Sequence, residues 1–90
     1  MTTARELRIV NQKGLHARAS ARFVEVVEAH DADCNVTKDG LEAAGDSIMG
    51  LLMLAASRGS TIEIRTSGPE ADALADALDT LVADRFGEEM

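Results

Sequence analysis

The chain is poor in aromatic residues, cysteine and basic residues, and each shortage excludes a class of structure. Its 90 residues include no Trp or Tyr, two Phe and one Cys, and nine basic residues stand against sixteen acidic ones. Because Cys34 is alone, an internal disulfide is excluded. We expect Cys34 to lie in the core, which must be aliphatic apart from Phe23 and Phe86.

Charge and hydropathy exclude several functions as well. The formal net charge of -7 argues against a nucleic-acid surface, because phosphate backbones require a basic one. No apolar run approaches the roughly 18 residues of a membrane span, and residues 1–6 lack the apolar core of a signal peptide. His16 and His30 are too far apart in sequence to indicate a metal site. We therefore predict one domain over residues 1–90, monomeric and cytoplasmic, without metal or cofactor.

The periodicity of the apolar residues predicts an α+β fold. Alternating residues indicate strands and an i, i+3, i+4, i+7 spacing indicates helices. The strands are predicted at residues 4–10, 34–37, 41–43 and 61–67, and the helices at about 17–29, 48–54 and from Gly68-Pro69-Glu70 to a stop at Gly87. Asn11-Gln12-Lys13-Gly14 is predicted as a loop, and Asp39-Gly40 predicts a hairpin between the second and third strands. The order βαββαβα predicts a mainly antiparallel four-stranded sheet with three helices over one face.

Residues 14–20, Gly-Leu-His-Ala-Arg-Ala-Ser, have the composition of a phosphate site at a helix start. First-turn N–H groups lack intrahelical partners and the helix dipole adds positive charge, so an anion near His16 meets favourable donors. Arg18 adds a planar fork of donors, and a neutral imidazole is a nucleophile. The pattern therefore predicts a phosphorylated His16. The alternative is that His16 merely caps the helix or lies on the surface.

The second predicted helix is apolar on nearly every side. Ser47 is placed to cap it, and residues 48–54 leave almost no polar face. Such a helix is either enclosed in the core or covered by a partner, and its methionines favour a partner surface for part of it.

These two motifs together resemble the HPr family, the histidine-containing phosphocarriers of the bacterial phosphotransferase system. Gly14-Leu15-His16-Ala17-Arg18-Ala19-Ser20 is followed about thirty residues later by Asp46-Ser47-Ile48-Met49-Gly50. The similarity extends over nearly the whole chain. It implies the family's open-faced β-sandwich, in which four strands lie under three helices.

The resemblance also implies roles for particular residues. His16 would accept a phosphoryl group on Nδ1 from phosphorylated enzyme I, itself charged by phosphoenolpyruvate, and pass it to IIA-type proteins. Arg18 and the backbone N–H groups of Ala17 and Arg18 would hold that group. Ser47 would be a target of an HPr kinase/phosphorylase. Docking of partners would use the apolar side chains Met49, Leu52, Met53 and Ala21.

The chain departs from the family pattern at three positions. Ala19 replaces a frequent proline, and Glu25 and Glu28 replace frequent lysines, which favours the nitrogen-related branch of the system over sugar uptake. Two other functions stay open at this point. One is a regulatory module that docks partners through residues 48–54 without carrying phosphate. The other, less favoured, is a small hydrolase using Ser20 or Ser47.

Overall fold

The computed structural model describes residues 2–88 and contains four strands and three helices in the predicted order. The seven elements are β1 (Thr2–Arg8), α1 (Ala17–Glu28), β2 (Asp33–Lys38), β3 (Leu41–Ala44), α2 (Ile48–Met53), β4 (Thr61–Ser67) and α3 (Ala71–Ala83). A single 3-10 turn, Arg85–Gly87, follows α3. The predicted α+β architecture is confirmed.

The sheet is antiparallel throughout and has the strand order β1-β4-β2-β3. Val36 of the central strand β2 pairs with Ile64 on one side and Ala43 on the other. The predicted hairpin between β2 and β3 is confirmed, since Asp39 and Gly40 have φ values of 50° and 82°. The crossover order places the edge strand β1 beside β4.

One face of the sheet packs against the helices. Alternate strand residues are buried there, such as Ile62 and Ile64, which are both fully buried. The opposite face is polar, where Glu63 and Arg65 form an ion pair of 3.1 Å. Phe23, Phe86 and Cys34 are buried, as predicted. Burial, with a smaller effect from the charge of Asp46, raises the pKa of the Cys34 thiol to about 12, so this cysteine is inert at neutral pH.

The structure corrects two predicted boundaries. The first strand covers Thr2–Arg8 rather than residues 4–10, because its pairing with β4 runs from Thr2 opposite Ser67 to Arg8 opposite Thr61. The last helix ends at Ala83 and not near Gly87. Beyond it, Arg85 and Phe86 have φ values of 56° and 55°, a left-handed backbone that cannot continue a helix.

No helix within residues 2–88 has the length and apolar character needed to cross a membrane. Over the same residues, no group of three or more His, Cys, Asp or Glu side chains is gathered as a metal site would require.

Candidate phosphoryl site

The loop before α1 is shaped by Gly14. Its φ is 67°, and a Cβ atom there would lie 2.5 Å from the Ala56 carbonyl oxygen. The next residue, Leu15, donates its N–H to that same carbonyl (2.8 Å) and buries its side chain. Only glycine fits both the conformation and the close approach of the two loops. The loop therefore delivers His16 to the start of α1 in one fixed position.

His16 is the N-cap residue of α1 and uses its ring to cap the helix. The backbone N–H of Arg18 donates to Nδ1 of His16 (3.2 Å), as the side chains of smaller N-cap residues do. Since a backbone N–H can only donate, Nδ1 must be the unprotonated ring nitrogen and carry a lone pair. The alternative that His16 caps the helix is therefore correct. It leaves an unprotonated ring nitrogen at the positive end of the helix.

The other ring nitrogen contacts the C-terminal segment. Nε2 of His16 lies 2.5 Å from Oε2 of Glu88. The other carboxylate oxygen, Oε1, accepts a hydrogen bond from the side-chain amide of Asn11 (3.0 Å), which also donates to the Gly14 carbonyl (2.8 Å). Because an ionised carboxylate only accepts, Nε2 carries the hydrogen. Asn11 thus joins the loop before His16 to the residue behind its ring.

Glu88 is held in its charged form. Burial works to raise the pKa of its carboxyl, but hydrogen bonds from Asn11 and His16 and the electrostatic effects of His16 and Lys13 outweigh it and lower the pKa below the ordinary 4.5. The side chain of Glu88 is 17% exposed and that of His16 is 27% exposed. The ring is therefore open to solvent on one side and supported by a carboxylate on the other.

The first turn of α1 is prepared for an anion. It contains no acidic residue, although acidic residues are favoured at this end of a helix. Ala17 is exposed, and its N–H lies in the first turn where no intrahelical acceptor exists. Arg18 is also exposed, and its guanidinium makes no hydrogen bond or ion pair with residues 2–88. The arginine is thus available to an incoming phosphoryl group.

The short helix α2 lies beside this loop. Leu52, which is half-buried, lines a shallow depression together with Lys13, Leu15 and His16. Met49 and Met53 are 71% and 77% exposed, whereas the equally apolar Leu51 is fully buried. The helix is therefore partly core and partly uncovered, as its composition predicted. Of this helix, Leu52 is the residue that lies against the depression at His16.

Ser47 caps α2, as predicted. Its hydroxyl oxygen accepts the N–H of Gly50 (3.0 Å), and the residue is half-buried. Ser20 differs, since it is fully buried and its hydroxyl donates to the Leu15 carbonyl (3.2 Å). A buried serine without a neighbouring base is no nucleophile. Ser20 as the nucleophile of a hydrolase is therefore wrong. Ala21, a predicted docking residue, is half-buried on α1.

Two residues of the site, Asn11 and Glu88, are missing from the sequence-based prediction. Asn11 lies in a segment that is predicted only as a loop, and Glu88 is 72 positions from His16. No local pattern relates residues so far apart. The one available signal was the short polar run after Phe86, an aromatic residue that the core would have to enclose.

Comparison with known proteins agrees with the site. The family model described as PTS HPr component phosphorylation site matches residues 3–84. The chain belongs to the HPr family. It is 42% identical to the phosphocarrier protein HPr of Cupriavidus necator over 84 residues, which are 93% of this chain and 94% of the relative. The family assignment made from the two motifs is confirmed.

Solved HPr structures have the same fold. HPr-C-His from Thermoanaerobacter tengcongensis aligns with a TM-score of 0.93 and 32% identity, covering 98% of this chain and 99% of that one. An HPr dimer from the same organism aligns with a TM-score of 0.77 and 33% identity, covering 91% and 94%. The open-faced β-sandwich is confirmed. As a member of this family, the chain is a phosphocarrier of the phosphotransferase system, whose components include enzyme I and IIA-type proteins.

Proposed function

We propose that His16 is the phosphoryl acceptor and that the phosphate bonds to Nδ1. The observation that carries this proposal is the hydrogen bond from the Arg18 backbone N–H to Nδ1, which fixes the lone pair at the positive end of α1. The ring is 27% exposed, so a partner protein reaches it without unfolding the loop. Phosphorylated enzyme I would supply the phosphoryl group and a IIA-type protein would take it.

The groups around His16 suit a carrier that must both receive a phosphoryl group and release it. Once Nδ1 is bonded to phosphorus, the first-turn N–H groups of Ala17 and Arg18 turn their donors to the phosphoryl oxygens. The Arg18 guanidinium adds a bidentate contact. The dipole contributes about 1 kcal/mol at an exposed helix end, which stabilises the phosphohistidine without trapping it.

Labelling with phosphoenolpyruvate tests the acceptor. The chain, enzyme I and labelled phosphoenolpyruvate should yield an acid-labile, base-stable adduct that His16→Ala loses and His30→Ala keeps. His30 is the matched control because it is the other histidine of the chain. Equal labelling of His16→Ala would overturn the proposal and leave the fold as a docking module that carries no phosphate on His16.

We further propose that Met49, Leu52 and Met53, with Ala21 beside them, form the docking face for enzyme I and IIA-type proteins. The two methionines are more than two-thirds exposed, and Leu52 of the same helix lines a depression together with His16. Adaptable methionines suit a surface that must fit more than one partner.

A matched pair of substitutions tests this face. Met49→Asp should weaken IIA binding at least tenfold, because a charge replaces an apolar contact that the partner desolvates. Leu41→Asp is the control, since Leu41 is 55% exposed on β3 and outside the proposed face. Equal affinity of the two variants, both folded by circular dichroism, would reject the docking face.

We propose Ser47 as a regulatory phosphorylation site of an HPr kinase/phosphorylase. A phosphate at this N-cap would add about two negative charges next to the docking face and repel another phosphorylated protein. Incubation with ATP and the kinase should give an acid-stable phosphoserine that slows labelling of His16 by enzyme I. Absence of phosphoserine, or unchanged labelling, would restrict Ser47 to capping.

The remaining proposals concern the domain organisation, oligomeric state, location and pathway of this phosphocarrier. We propose that residues 1–90 act as one domain, as a monomer in the cytoplasm, and in the nitrogen-related branch. The acidic Glu25 and Glu28 support that branch, because both are exposed on α1. Light scattering at working concentration tests the monomer. Transfer of label to a nitrogen-related IIA protein in preference to a sugar-specific one tests the branch.

A further inference from the structure

The C-terminal segment places a carboxylate behind the His16 ring, on the side away from Nδ1. Glu88 Oε2 lies 2.5 Å from Nε2, and neither side chain is more than 27% exposed. Water weakens exposed contacts of charged groups, but this hydrogen bond to a carboxylate is largely sheltered. The contact is therefore strong enough to affect which ring nitrogen carries the hydrogen.

The backbone that presents Glu88 is anchored in the core. Phe86 is fully buried despite its left-handed φ of 55°. The N–H of Gly87 donates to the Asp84 carbonyl (3.0 Å), and the N–H of Glu88 donates to the Arg85 carbonyl (2.9 Å). The aromatic anchor and these two bonds turn the chain back toward the loop before α1. Glu88 thus occupies a position that the fold determines.

Asn11 secures the carboxylate from the other side. It is fully buried, and its amide donates both to Glu88 and to the Gly14 carbonyl. Its own side-chain oxygen has no hydrogen-bond partner among residues 2–88. A buried unpaired oxygen has a free-energy cost. The amide nevertheless keeps its donors on Glu88 and on the loop that carries His16.

We propose that Glu88 is a positioning residue for phosphoryl transfer. It holds the His16 ring in the tautomer with a free Nδ1 lone pair, and it stabilises the positive charge that the ring gains when Nδ1 is phosphorylated. This inference rests on the proposed function, in which Nδ1 of His16 is the acceptor.

The charge balance of the transfer shows why a carboxylate is useful. The Nδ1 lone pair forms the new N–P bond, while the donor's bond to phosphorus breaks and its electron pair stays on the donor. Because Nε2 keeps its hydrogen throughout, the ring becomes positively charged. The Glu88 carboxylate faces that Nε2–H and compensates the charge. Since the pKa of Glu88 is lowered, its carboxyl is ionised at neutral pH and accepts the hydrogen bond from Nε2–H.

The same contact does not obstruct release. Glu88 touches Nε2, whereas the phosphoryl group leaves from Nδ1 on the other side of the ring. When the group passes to an acceptor protein, the electron pair of the N–P bond returns to Nδ1 and the ring becomes neutral again. Glu88 therefore acts on the stability of the phosphorylated form and does not bind the group being transferred.

The equilibrium of phosphoryl exchange with enzyme I tests this role. Glu88→Gln keeps the shape of the side chain and removes its charge. The equilibrium constant for phosphorylation of the chain by enzyme I should therefore fall roughly tenfold. Glu42→Gln is the control, because Glu42 is exposed on β3 and its side chain makes no hydrogen bond or ion pair with residues 2–88. Glu88→Asp should recover part of the loss.

Ring nitrogen spectra give a second readout that a purely structural role would not move. In Glu88→Ala, long-range proton–nitrogen NMR should show a new population of the Nδ1–H tautomer at His16, with His30 unchanged. If Glu88→Gln keeps the wild-type equilibrium constant and Glu88→Ala keeps the wild-type tautomer, while His16 is still labelled, the positioning role is overturned and the relay stands. No label on wild-type His16 would instead overturn the relay itself.

Discussion

His16 and His30 lie at opposite ends of the helix α1 and use the same ring atom in opposite ways. At the start of the helix, Nδ1 of His16 accepts the backbone N–H of Arg18. Just beyond its end, Nδ1 of His30 contacts the carbonyl oxygen of Val26 (2.8 Å) and must donate to it. The first arrangement leaves a lone pair on Nδ1, and the second removes it.

The helix itself causes this difference. Its first turn offers N–H groups without acceptors, and its last turn offers carbonyl groups without donors. A histidine at the first end becomes an acceptor, and one at the last end becomes a donor. Two chemically identical side chains thus differ in which ring nitrogen carries the lone pair, because they lie at different ends of one helix. Identifying the functional histidine requires the position of the helix more than any property of the ring.

The largest expected effect comes from Gly14, which holds the loop at the His16 end. Gly14→Ala should lower the free energy of unfolding by about 3 kcal/mol or more, because its Cβ would collide with the Ala56 carbonyl and Ser57. Gly59→Ala should cost only about 1 kcal/mol, since Gly59 also has a positive φ but open space around it. Urea unfolding of both variants measures the difference, and equal losses would contradict the fixed loop.

Arg18 should matter next. Arg18→Ala should slow phosphoryl transfer from enzyme I about tenfold to a hundredfold, because a charged hydrogen bond contributes about 1.5–3 kcal/mol. Arg65→Ala removes the same charge from the polar face of the sheet, where Arg65 pairs with Glu63, and should change the rate little. Rapid-quench labelling measures both rates. Equal slowing would mean that overall charge, and not a local contact, is responsible.

A smaller effect is expected from pH. Because the pKa of folded Glu88 is below the ordinary 4.5, its contacts stabilise the fold above that pH. This contribution is lost as the pH falls through the folded pKa. The stability difference between wild type and Glu88→Gln should therefore be largest near neutral pH and shrink below pH 4.5. Urea titrations at several pH values check it, and a difference independent of pH would contradict a charged Glu88.

The smallest effect concerns the first turn of α1, which contains no acidic residue. Ala17→Glu should stabilise the free protein by about 0.3–1 kcal/mol, because an acidic residue suits this end of the helix. The same charge should reduce phosphorylation of His16 by repelling the phosphoryl group. Thermal unfolding and labelling measure the two effects. A variant that gains stability and keeps full labelling would show that the helix start plays no part in holding phosphate.

Much of the fold and the family could be predicted from the sequence because the relevant signals are local. The Asp39-Gly40 turn, the Ser47 cap and the alternation of Ile62 and Ile64 each involve neighbouring residues, and the structure has all three. The two motifs at His16 and Ser47 sufficed for the family.

What the sequence could not show depends on long-range contacts. The sequence predicts that α3 ends at Gly87, because glycine often stops a helix. The helix ends earlier, and the buried Phe86 lies in the turn that follows it. That turn brings Glu88 to His16, and no spacing rule anticipates a contact between residues at opposite ends of the chain. The orientation of the ring likewise depends on the backbone of Arg18 and on Glu88 together.

The central claim is that Nδ1 of His16 carries the phosphoryl group. Nitrogen–phosphorus coupling in the charged protein, labelled with nitrogen-15, tests it most directly, because the coupling identifies the bonded nitrogen. The account predicts coupling at Nδ1 of His16, with Nε2 still protonated and both nitrogens of His30 unaffected. Coupling at Nε2 of His16, or at either nitrogen of His30, would contradict it.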